Sequence, residues 1–216
     1  MICKMRAAIF DLDGVIVATA KYHYLAWKRL ANDLGFDFTE TDNERLKGVS
    51  RIRSLEILLE IGGLTLDNAA KAKLAEQKNS WYVDYISYMD ASELLPGAAE
   101  YLQYIRAKNV KIALGSASKN APLILERIGI SSLFDAIVDG NKVRKAKPDP
   151  EVFLRAAEEL HIAPAECVVF EDAEAGIEAA HRAGMSAVGI GNANVLKDAE
   201  IIIPGLFAFP ITLPSE

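Results

Sequence analysis

The stretch AAIFDLDG, residues 7–14, decides the fold of this 216-residue chain. It joins four apolar residues directly to an acidic turn that contains Asp11 and Asp13. An apolar run this short predicts a β-strand buried on both faces, because a helix would need a longer segment. The sequence therefore places two carboxylates at the carboxyl end of a buried strand.

Similar short apolar runs recur later in the chain and alternate with helical patterns. The further predicted strands are Val110–Leu114, Ala136–Val138, Cys167–Phe170, Ala187–Ile190 and Ile201–Ile203. The predicted helices between them are Ala98–Lys108, Pro122–Ile128, Pro150–Leu160 and Ala173–Ala183. Strands that alternate with helices predict an α/β fold with a doubly wound, parallel sheet of the Rossmann type.

One segment, residues 18–90, interrupts this alternation. It contains no predicted strand but three helical patterns: Thr19–Leu34, a second that follows Ser50 and ends at Gly62-Gly63, and a third from about Asp67 to about Met89. Apolar residues recur at helical spacing in each pattern, which predicts an inserted helical cap domain. We therefore expect a core domain of residues 1–17 and 91–216, a cap of residues 18–90, and hinges near the two crossings.

Composition and charge exclude several classes of protein. The net charge of −6 argues against a nucleic-acid-binding surface, which would need a basic stripe. The most apolar late stretch, Ile201–Ile211, is shorter than a membrane span and contains two prolines. The amino-terminal apolar run is too short for a signal peptide, so we expect a cytoplasmic protein. Cys3 and Cys167 are predicted to be buried apolar residues, not a disulfide.

Polar side chains follow four of the predicted strands. They are Asp11 and Asp13, then Ser116 with Lys119 and Asn120, then Lys147, then Glu171 and Asp172. Ligands of open α/β sheets bind beyond the carboxyl ends of the strands, so these side chains are expected at one rim. Four acids, the lysine Lys147 and the hydroxyl of Ser116 at one rim are typical of phosphoryl transfer.

The chemistry assigns a role to each of these groups. An aspartate carboxylate is ordinarily ionised at neutral pH, so Asp11 needs no base to act as a nucleophile. Two like charges about 4 Å apart repel by about 4 kcal/mol at an effective dielectric constant of about 20, so the carboxylates need a cation to approach a phosphate. Mg²⁺ prefers oxygen ligands, and Glu171 and Asp172 are the candidates that would hold it with Asp11.

The remaining groups complete the predicted site. Lys147 supplies a second positive charge, and Ser116 supplies a hydroxyl donor for a phosphate oxygen. Asp13 is left as the general acid and base. Each feature alone has a simpler interpretation: an acidic turn, a helix N-cap, a loop hydroxyl or a surface charge. Their order at four successive strand ends favours the functional interpretation.

Seven stretches carry a resemblance to a known family. They are FDLDGVI (10–16), YHYLAWKRLA (22–31), LKGVSR (46–51), KN (78–79), SASKN (116–120), KPDPEVF (147–153) and EDAEAGIEA (171–179). Together they resemble the haloacid dehalogenase-like superfamily across nearly the whole chain. The LKGVSR motif, with His23 and Trp27, resembles the β-phosphoglucomutase family within it.

The resemblance implies a phosphomutase that interconverts β-D-glucose 1-phosphate and glucose 6-phosphate. The implied reaction passes through a phosphorylated Asp11 and β-glucose 1,6-bisphosphate, with Mg²⁺ as cofactor. The implied metal ligands are Asp11, the backbone carbonyl of Asp13, Glu171 and Asp172, while Ser116 and Lys147 bind the transferring phosphoryl group. Among the other implied substrate-binding residues, Arg51 binds the distal phosphate, assisted by Ser118 and Asn120 from the core. Gly48, Val49 and Ser54 face the sugar. His23 and Lys78 couple cap closure to Asp13. Thr19, Trp27, Ser50, Ala117 and Lys119 complete the set.

Two alternatives remain open at this point. A sugar-phosphate phosphatase would use the same rim with water as the acceptor, and a binding protein without catalysis would be expected to lack the nucleophile or a metal ligand. The chain also departs from the family at Val17-Ala18-Thr19, where Thr-Asp-Thr is usual, so the expected hinge lacks an acid. The expected partners are small-molecule sugar phosphates, with no nucleic acid and no membrane, and the expected state is a monomer.

Overall fold

The computed structural model describes residues 5–46 and 49–208. The chain divides into two compact units. The core unit comprises Met1–Ala18 and Asp90–Glu216, and the helical unit comprises Thr19–Met89. Among the described residues, no helix combines the length and the apolar character that crossing a membrane requires.

The core unit is built on a parallel sheet, as the alternating pattern predicts. Its described strands are β1 (Ala7–Phe10), β2 (Lys111–Gly115), β3 (Ala136–Val138), β4 (Cys167–Glu171), β5 (Ser186–Ile190) and β6 (Ile201–Ile203). They lie in the order β3-β2-β1-β4-β5-β6, and all neighbouring pairs are parallel. Every residue of β1 and β4 is buried, which is the pattern of strands covered on both faces.

Eight α-helices occur in the described parts of the chain. They are α1 (Ala20–Asp33), α2 (Glu40–Glu44), α3 (Arg51–Ile61), α4 (Asn68–Ile86), α5 (Ala98–Ala107), α6 (Ala121–Arg127), α7 (Glu151–Leu160) and α8 (Glu174–Arg182). Short 3-10 turns lie at Ala91–Glu93, Ser131–Leu133 and Pro164–Glu166. The first four helices form the helical unit, and the other four belong to the core unit.

Alternate residues of β1 face opposite sides of the sheet, and helices cover both sides. Ile9 belongs to an apolar cluster with residues of α7 and α8, among them Phe153 and Ile177. Phe10 points to the other side, where its ring stacks on Phe170 with centroids 4.6 Å apart and meets Tyr101 of α5 edge-on at 5.9 Å. The sheet is therefore doubly wound.

The helical unit has one more helix than the sequence pattern predicts. Helices α3 and α4 begin where expected, because Ser50 accepts a hydrogen bond from the Arg53 N–H and Asp67 accepts one from the Ala70 N–H. The additional helix is α2, which has five residues without an apolar stripe. Its signal is local: Thr39 and Asp42 form a reciprocal capping box at its start.

Two chain segments near the boundary between the units pair with each other inside the core unit. Val17 bridges Leu94 in antiparallel fashion, the Ala18 N–H donates to the Glu93 carbonyl, and the Leu95 N–H donates to the Ile16 carbonyl. Cys167 is a buried free cysteine, as predicted, and Cys3 lies outside the described residues.

Candidate active site

The candidate nucleophile, Asp11, lies at the carboxyl end of β1, beside β4; these are the two central strands of the sheet. Phe10 of β1 is paired with Phe170 of β4, and the Asp11 N–H continues the ladder by donating to the Phe170 carbonyl at 2.9 Å. Glu171 is the next residue of β4 and is therefore a neighbour of Asp11. Both side chains are buried, so their charges require compensation.

Lys147 provides part of that compensation. Its Nζ donates to Asp11 Oδ1 at 2.6 Å and to Glu171 Oε2 at 2.9 Å, and its side chain is 3% exposed. Burial acts to lower the pKa of Lys147, but the charges of Asp11 and Glu171 outweigh it and raise that pKa above its ordinary value. Burial raises the pKa of Glu171 to about 8, with Asp11 and Asp172 acting in the same direction and Lys147 against them.

The donor set of this rim fits a hard divalent cation. Asp11, Glu171 and Asp172 each offer a carboxylate oxygen, and these oxygens lie within 4.8 Å of one another. With a cation bound and all three carboxyl groups ionised, these groups and the Lys147 ammonium carry two net negative charges, which a divalent cation balances. Oxygen ligands alone are what Mg²⁺ prefers, so the residues present suit the implied metal.

Two glycines, Gly14 and Gly176, allow the carboxylates of Asp172 and Glu171 to pack directly against the backbone. A Cβ built on Gly176 would lie 2.0 Å from Glu171 Cδ, and one on Gly14 would lie 2.1 Å from Asp172 Oδ2. Gly14 also has φ +80°, a conformation that residues with a side chain rarely adopt. Sequence reasoning missed this role. The available signal was Gly176 itself, because a glycine inside a helix costs about 1 kcal/mol relative to alanine.

Asp13 lies beside the candidate nucleophile, Asp11. Its backbone N–H donates to Asp11 Oδ2 at 3.0 Å, which fixes the orientation of the Asp11 carboxylate. With Lys147 on Oδ1 and this N–H on Oδ2, both oxygens of Asp11 accept hydrogen bonds. The Asp13 side chain is only partly buried, and Asp13 is two residues from Asp11 in the chain.

The loop that follows β2, Ser116–Asn120, forms another part of the rim. We call it the serine loop. Ser116 is buried, and its N–H donates to the Val138 carbonyl of β3 at 3.0 Å. Ser116 Oγ then accepts from the Ser118 N–H at 3.1 Å, and Ser118 Oγ accepts from the Asn120 N–H at 3.3 Å. Ala117, Ser118 and Asn120 are partly buried, whereas Lys119 is exposed.

In the helical unit, the structure brings three of the expected substrate residues together. Lys78 Nζ donates to His23 Nδ1 at 3.0 Å and lies over the rings of Trp27 and Tyr82, at 4.5 and 4.7 Å from their centroids. Burial lowers the pKa of His23 well below its ordinary 6.5, and the charges of Lys78 and Arg51 lower it further. Because an ammonium can only donate, the neutral imidazole carries its hydrogen on Nε2.

The other helical-unit candidates lie near the start of α3. Arg51 is partly buried, which lowers its pKa, and its Nη1 lies 3.5 Å from Glu76 Oε2. Ser50 caps the helix, and Ser54 is buried. The remaining candidates are Val49, which packs against the apolar core of this unit, Thr19, which is buried, and Gly48, which lies outside the described residues.

The comparisons with known proteins agree with this rim chemistry. The chain is 47% identical over 201 residues to the beta-phosphoglucomutase of Bacillus subtilis, covering 92% of this chain and 89% of that protein. It is 34% identical to a phosphorylated carbohydrates phosphatase of Thermotoga maritima, covering 92% of this chain and 90% of that protein. The crystal structure of a beta-phosphoglucomutase from Clostridium difficile superposes with a TM-score of 0.91 at 42% identity, covering 96% and 94% of the two chains.

A family model, described as haloacid dehalogenase-like hydrolase, matches residues 5–184. The matched segment contains all four strand ends that carry the acids, the lysine and the serine. It also contains all eight described helices. The chain belongs to the haloacid dehalogenase-like hydrolase family.

Proposed function

We propose that the chain is a beta-phosphoglucomutase, a phosphomutase that interconverts β-D-glucose 1-phosphate and glucose 6-phosphate. The observation that carries this proposal is the 47% identity to the Bacillus subtilis protein of that name, which extends over 92% of the chain. The buried contact of Lys147 with Asp11 and Glu171 supplies the physical support, because it sets a fixed cation against the proposed nucleophile in a site that suits phosphate.

The proposed reaction consists of two phosphoryl transfers through Asp11. In the first, the phosphorylated Asp11 gives its phosphoryl group to the free hydroxyl of the sugar phosphate, and Asp13 accepts the hydroxyl proton. The product is β-glucose 1,6-bisphosphate, bound while Asp11 is again a free carboxylate. In the second, Asp11 attacks the other phosphorus, the sugar oxygen leaves, and Asp13 returns the proton to that oxygen.

The surroundings of Asp11 explain how it can face a phosphate. Mg²⁺, held by Asp11, the Asp13 carbonyl, Glu171 and Asp172, would supply the positive charge that screens the carboxylates from the phosphate oxygens. Lys147 adds a fixed cation at 2.6 Å from Asp11, and Ser116 adds a hydroxyl at the same rim. We assign these two residues to the transferring phosphoryl group.

The phosphate that remains on the sugar needs its own donors. We assign it to Arg51 and, in the core unit, to Ser118 and Asn120. The Arg51 guanidinium suits this role, because its ion pair with Glu76 is long at 3.5 Å and the Glu76 side chain is 75% exposed. An exposed ion pair of this kind contributes little to stability, so the guanidinium can exchange it for a phosphate. The planar fork of Arg51 then binds two phosphate oxygens at once.

The remaining expected substrate residues keep their place in the proposal. Gly48, Val49, Ser54, Trp27 and Thr19 are assigned to the sugar side. His23 and Lys78 are assigned to the coupling between substrate binding and Asp13, and their short contact supports treating them as one unit. Ser50, Ala117 and Lys119 are also assigned to substrate binding.

The alternative function is a sugar-phosphate phosphatase, and the 34% identity to the Thermotoga maritima phosphatase is the observation in its favour. The two functions share every step up to the phosphorylation of Asp11. They differ in the acceptor, which is a sugar hydroxyl in the mutase and water in the phosphatase.

The test measures both products at once. β-Glucose 1-phosphate with Mg²⁺ and a trace of β-glucose 1,6-bisphosphate should yield glucose 6-phosphate in a coupled assay, with little free phosphate. The α anomer should be a poor substrate, because its phosphate leaves the ring in another direction. The Asp11→Asn variant, which keeps the shape of the side chain without its nucleophile, serves as the blank. Stoichiometric free phosphate without glucose 6-phosphate would establish the phosphatase instead.

A further inference from the structure

The loop that follows β3 lies against the serine loop. We call residues Asp139–Lys142 the β3 loop. The Gly140 N–H donates to the Ser118 carbonyl at 3.2 Å, and Asn141 Nδ2 donates to the Lys119 carbonyl at 3.0 Å. Two consecutive carbonyl groups of the serine loop are therefore held by donors from the β3 loop.

Position 140 has no room for a side chain at this contact, so it has to be a glycine. A Cβ built on Gly140 would lie 2.3 Å from the Ala117 carbonyl oxygen and 3.0 Å from the Ala117 carbonyl carbon. Both atoms belong to the backbone, so they cannot move aside as a flexible side chain could. The β3 loop thus faces three successive carbonyl groups of the serine loop, those of residues 117, 118 and 119.

The Asn141 side chain is itself fixed by Asp139, which is 5% exposed. Asp139 Oδ1 accepts from the Asn141 N–H at 2.9 Å, and Asp139 Oδ2 accepts from Asn141 Nδ2 at 3.1 Å. Both neighbours of Nδ2, the Asp139 carboxylate and the Lys119 carbonyl, are acceptors. This settles which end of the amide faces them, because the amide oxygen could not bond to either.

These contacts point to a role in phosphate binding. A loop that binds an anion has to present N–H and hydroxyl donors to it and to keep its carbonyl oxygens away, since those oxygens repel a phosphate. We propose that Asn141, supported by Gly140 and Asp139, is a positioning residue that holds the serine-loop carbonyls and thereby places Ser118 and Asn120 for the phosphate that remains on the sugar. This inference rests on the proposed function, which assigns that phosphate to Ser118 and Asn120.

Two variants separate the hydrogen bond from the shape of the side chain. Asn141→Ala removes the donor. Asn141→Asp keeps the shape but sets a carboxylate against the Lys119 carbonyl and the Asp139 carboxylate. One lost hydrogen bond at a partly exposed site corresponds to about a two- to tenfold effect, so the KM for β-glucose 1-phosphate should rise by about that factor in Asn141→Ala. The rise should be larger in Asn141→Asp, because that variant adds repulsion between like charges.

The matched control is Asn192→Ala. Asn192 also uses its side-chain oxygen within a loop after a strand, where it accepts from the Asn194 N–H at 2.9 Å. Its loop follows β5 and not β3, so this variant should leave the KM unchanged. A second control uses acetyl phosphate, which carries one phosphate and has no group for Ser118 and Asn120 to hold. Phosphorylation of Asp11 by acetyl phosphate should proceed at the wild-type rate in all three variants.

A measurement without substrate completes the test. Hydrogen exchange at the Ser118 and Asn120 amides of the unliganded protein should be faster in both Asn141 variants than in wild type and in Asn192→Ala. Unchanged exchange, or faster exchange with an unchanged KM, would overturn the positioning role. Equal losses with acetyl phosphate and with β-glucose 1-phosphate would also overturn it, because they would show general damage to the site. If wild type forms no glucose 6-phosphate at all, the proposed function fails, and the exchange rates alone then decide whether Asn141 holds the loop.

Discussion

The replacement of Gly176 by alanine tests how closely α8 must approach Glu171. The added methyl carbon would lie 2.0 Å from Glu171 Cδ, 2.2 Å from Cγ and 2.3 Å from Oε1. Ordinary van der Waals contact begins at 3.4 Å, so the nearest of these separations has to widen by 1.4 Å. We expect the Glu171 carboxylate, which is 2% exposed, to make that room by leaving its place beside Asp11 and Lys147.

This displacement is large compared with what a metal site tolerates. Metal–ligand distances are fixed to within about 0.2 Å, and disturbing the groups that orient a ligand lowers metal affinity by about 10- to 100-fold. We therefore expect the dissociation constant for Mg²⁺ to rise by about 10- to 100-fold in Gly176→Ala. Helix propensity acts in the opposite direction, since alanine favours a helix over glycine by about 1 kcal/mol, so α8 itself should remain formed.

The assay is calorimetric titration of the metal-free protein with Mg²⁺, combined with the Mg²⁺ concentration that gives half-maximal turnover. Gly62→Ala is the matched control, because its methyl carbon would lie 2.4 Å from the Phe36 ring, in the helical unit and not at a carboxylate. Gly62→Ala should lower the Tm without changing the Mg²⁺ affinity. A Gly176→Ala variant that binds Mg²⁺ as tightly as wild type would refute the proposed packing of Glu171.

Two further predictions concern a proton donor and a buried histidine. Asp13→Asn should fold normally and lose about 10²- to 10⁴-fold in turnover in the coupled assay, the usual contribution of a positioned acid or base; near-normal turnover would remove Asp13 from the proton-transfer role. The pKa of His23 is lower in the folded state than in the unfolded state. Keeping His23 neutral therefore stabilises the folded protein fully above about pH 6.5, and this contribution to the free energy of unfolding is lost as the pH falls through the folded-state pKa. The Tm of wild type should therefore fall more between about pH 7.5 and pH 5 than that of His23→Asn, and equal falls measured by calorimetry would contradict a buried neutral His23.

The strands were readable from the sequence because each is a short apolar run that ends at a charge, a glycine or a proline. The predicted bounds of β1, β3 and β6 match the observed ones, and β4 differs by one residue. That residue is Glu171, whose backbone pairs with Gly189 while its side chain reaches the rim. An acid at the end of an apolar run looks like a loop residue in sequence, yet the ladder continues through it.

Other features could not be predicted from the sequence, because they depend on contacts between residues that are distant in the chain. The pairing of Lys147 with Glu171 as well as Asp11 requires knowledge of the strand register. The same holds for Gly176, whose helix approaches a neighbouring strand end closely enough to exclude a side chain. Helix α2 was not predicted for a different reason. Its five residues are all polar and show no hydrophobic periodicity, and its one sequence signal is the local capping box of Thr39 and Asp42.

The strand order has a consequence for how the chain is made. Of the described strands, β1 is synthesised before the other five, but its partners come much later, since Ala7 pairs with Lys111 in β2 and with Cys167 in β4. The helical unit, by contrast, is continuous from Thr19 to Met89, so all of it has been synthesised before either partner of β1 exists. The long loop between β1 and β4 makes their pairing entropically slow relative to contacts within the helical unit. A chain released from the ribosome before β4 thus carries Asp11 and a complete helical unit, but neither Glu171 nor Asp172. The acidic cluster of Asp11, Glu171 and Asp172 is therefore assembled in the same late step that completes the middle of the sheet.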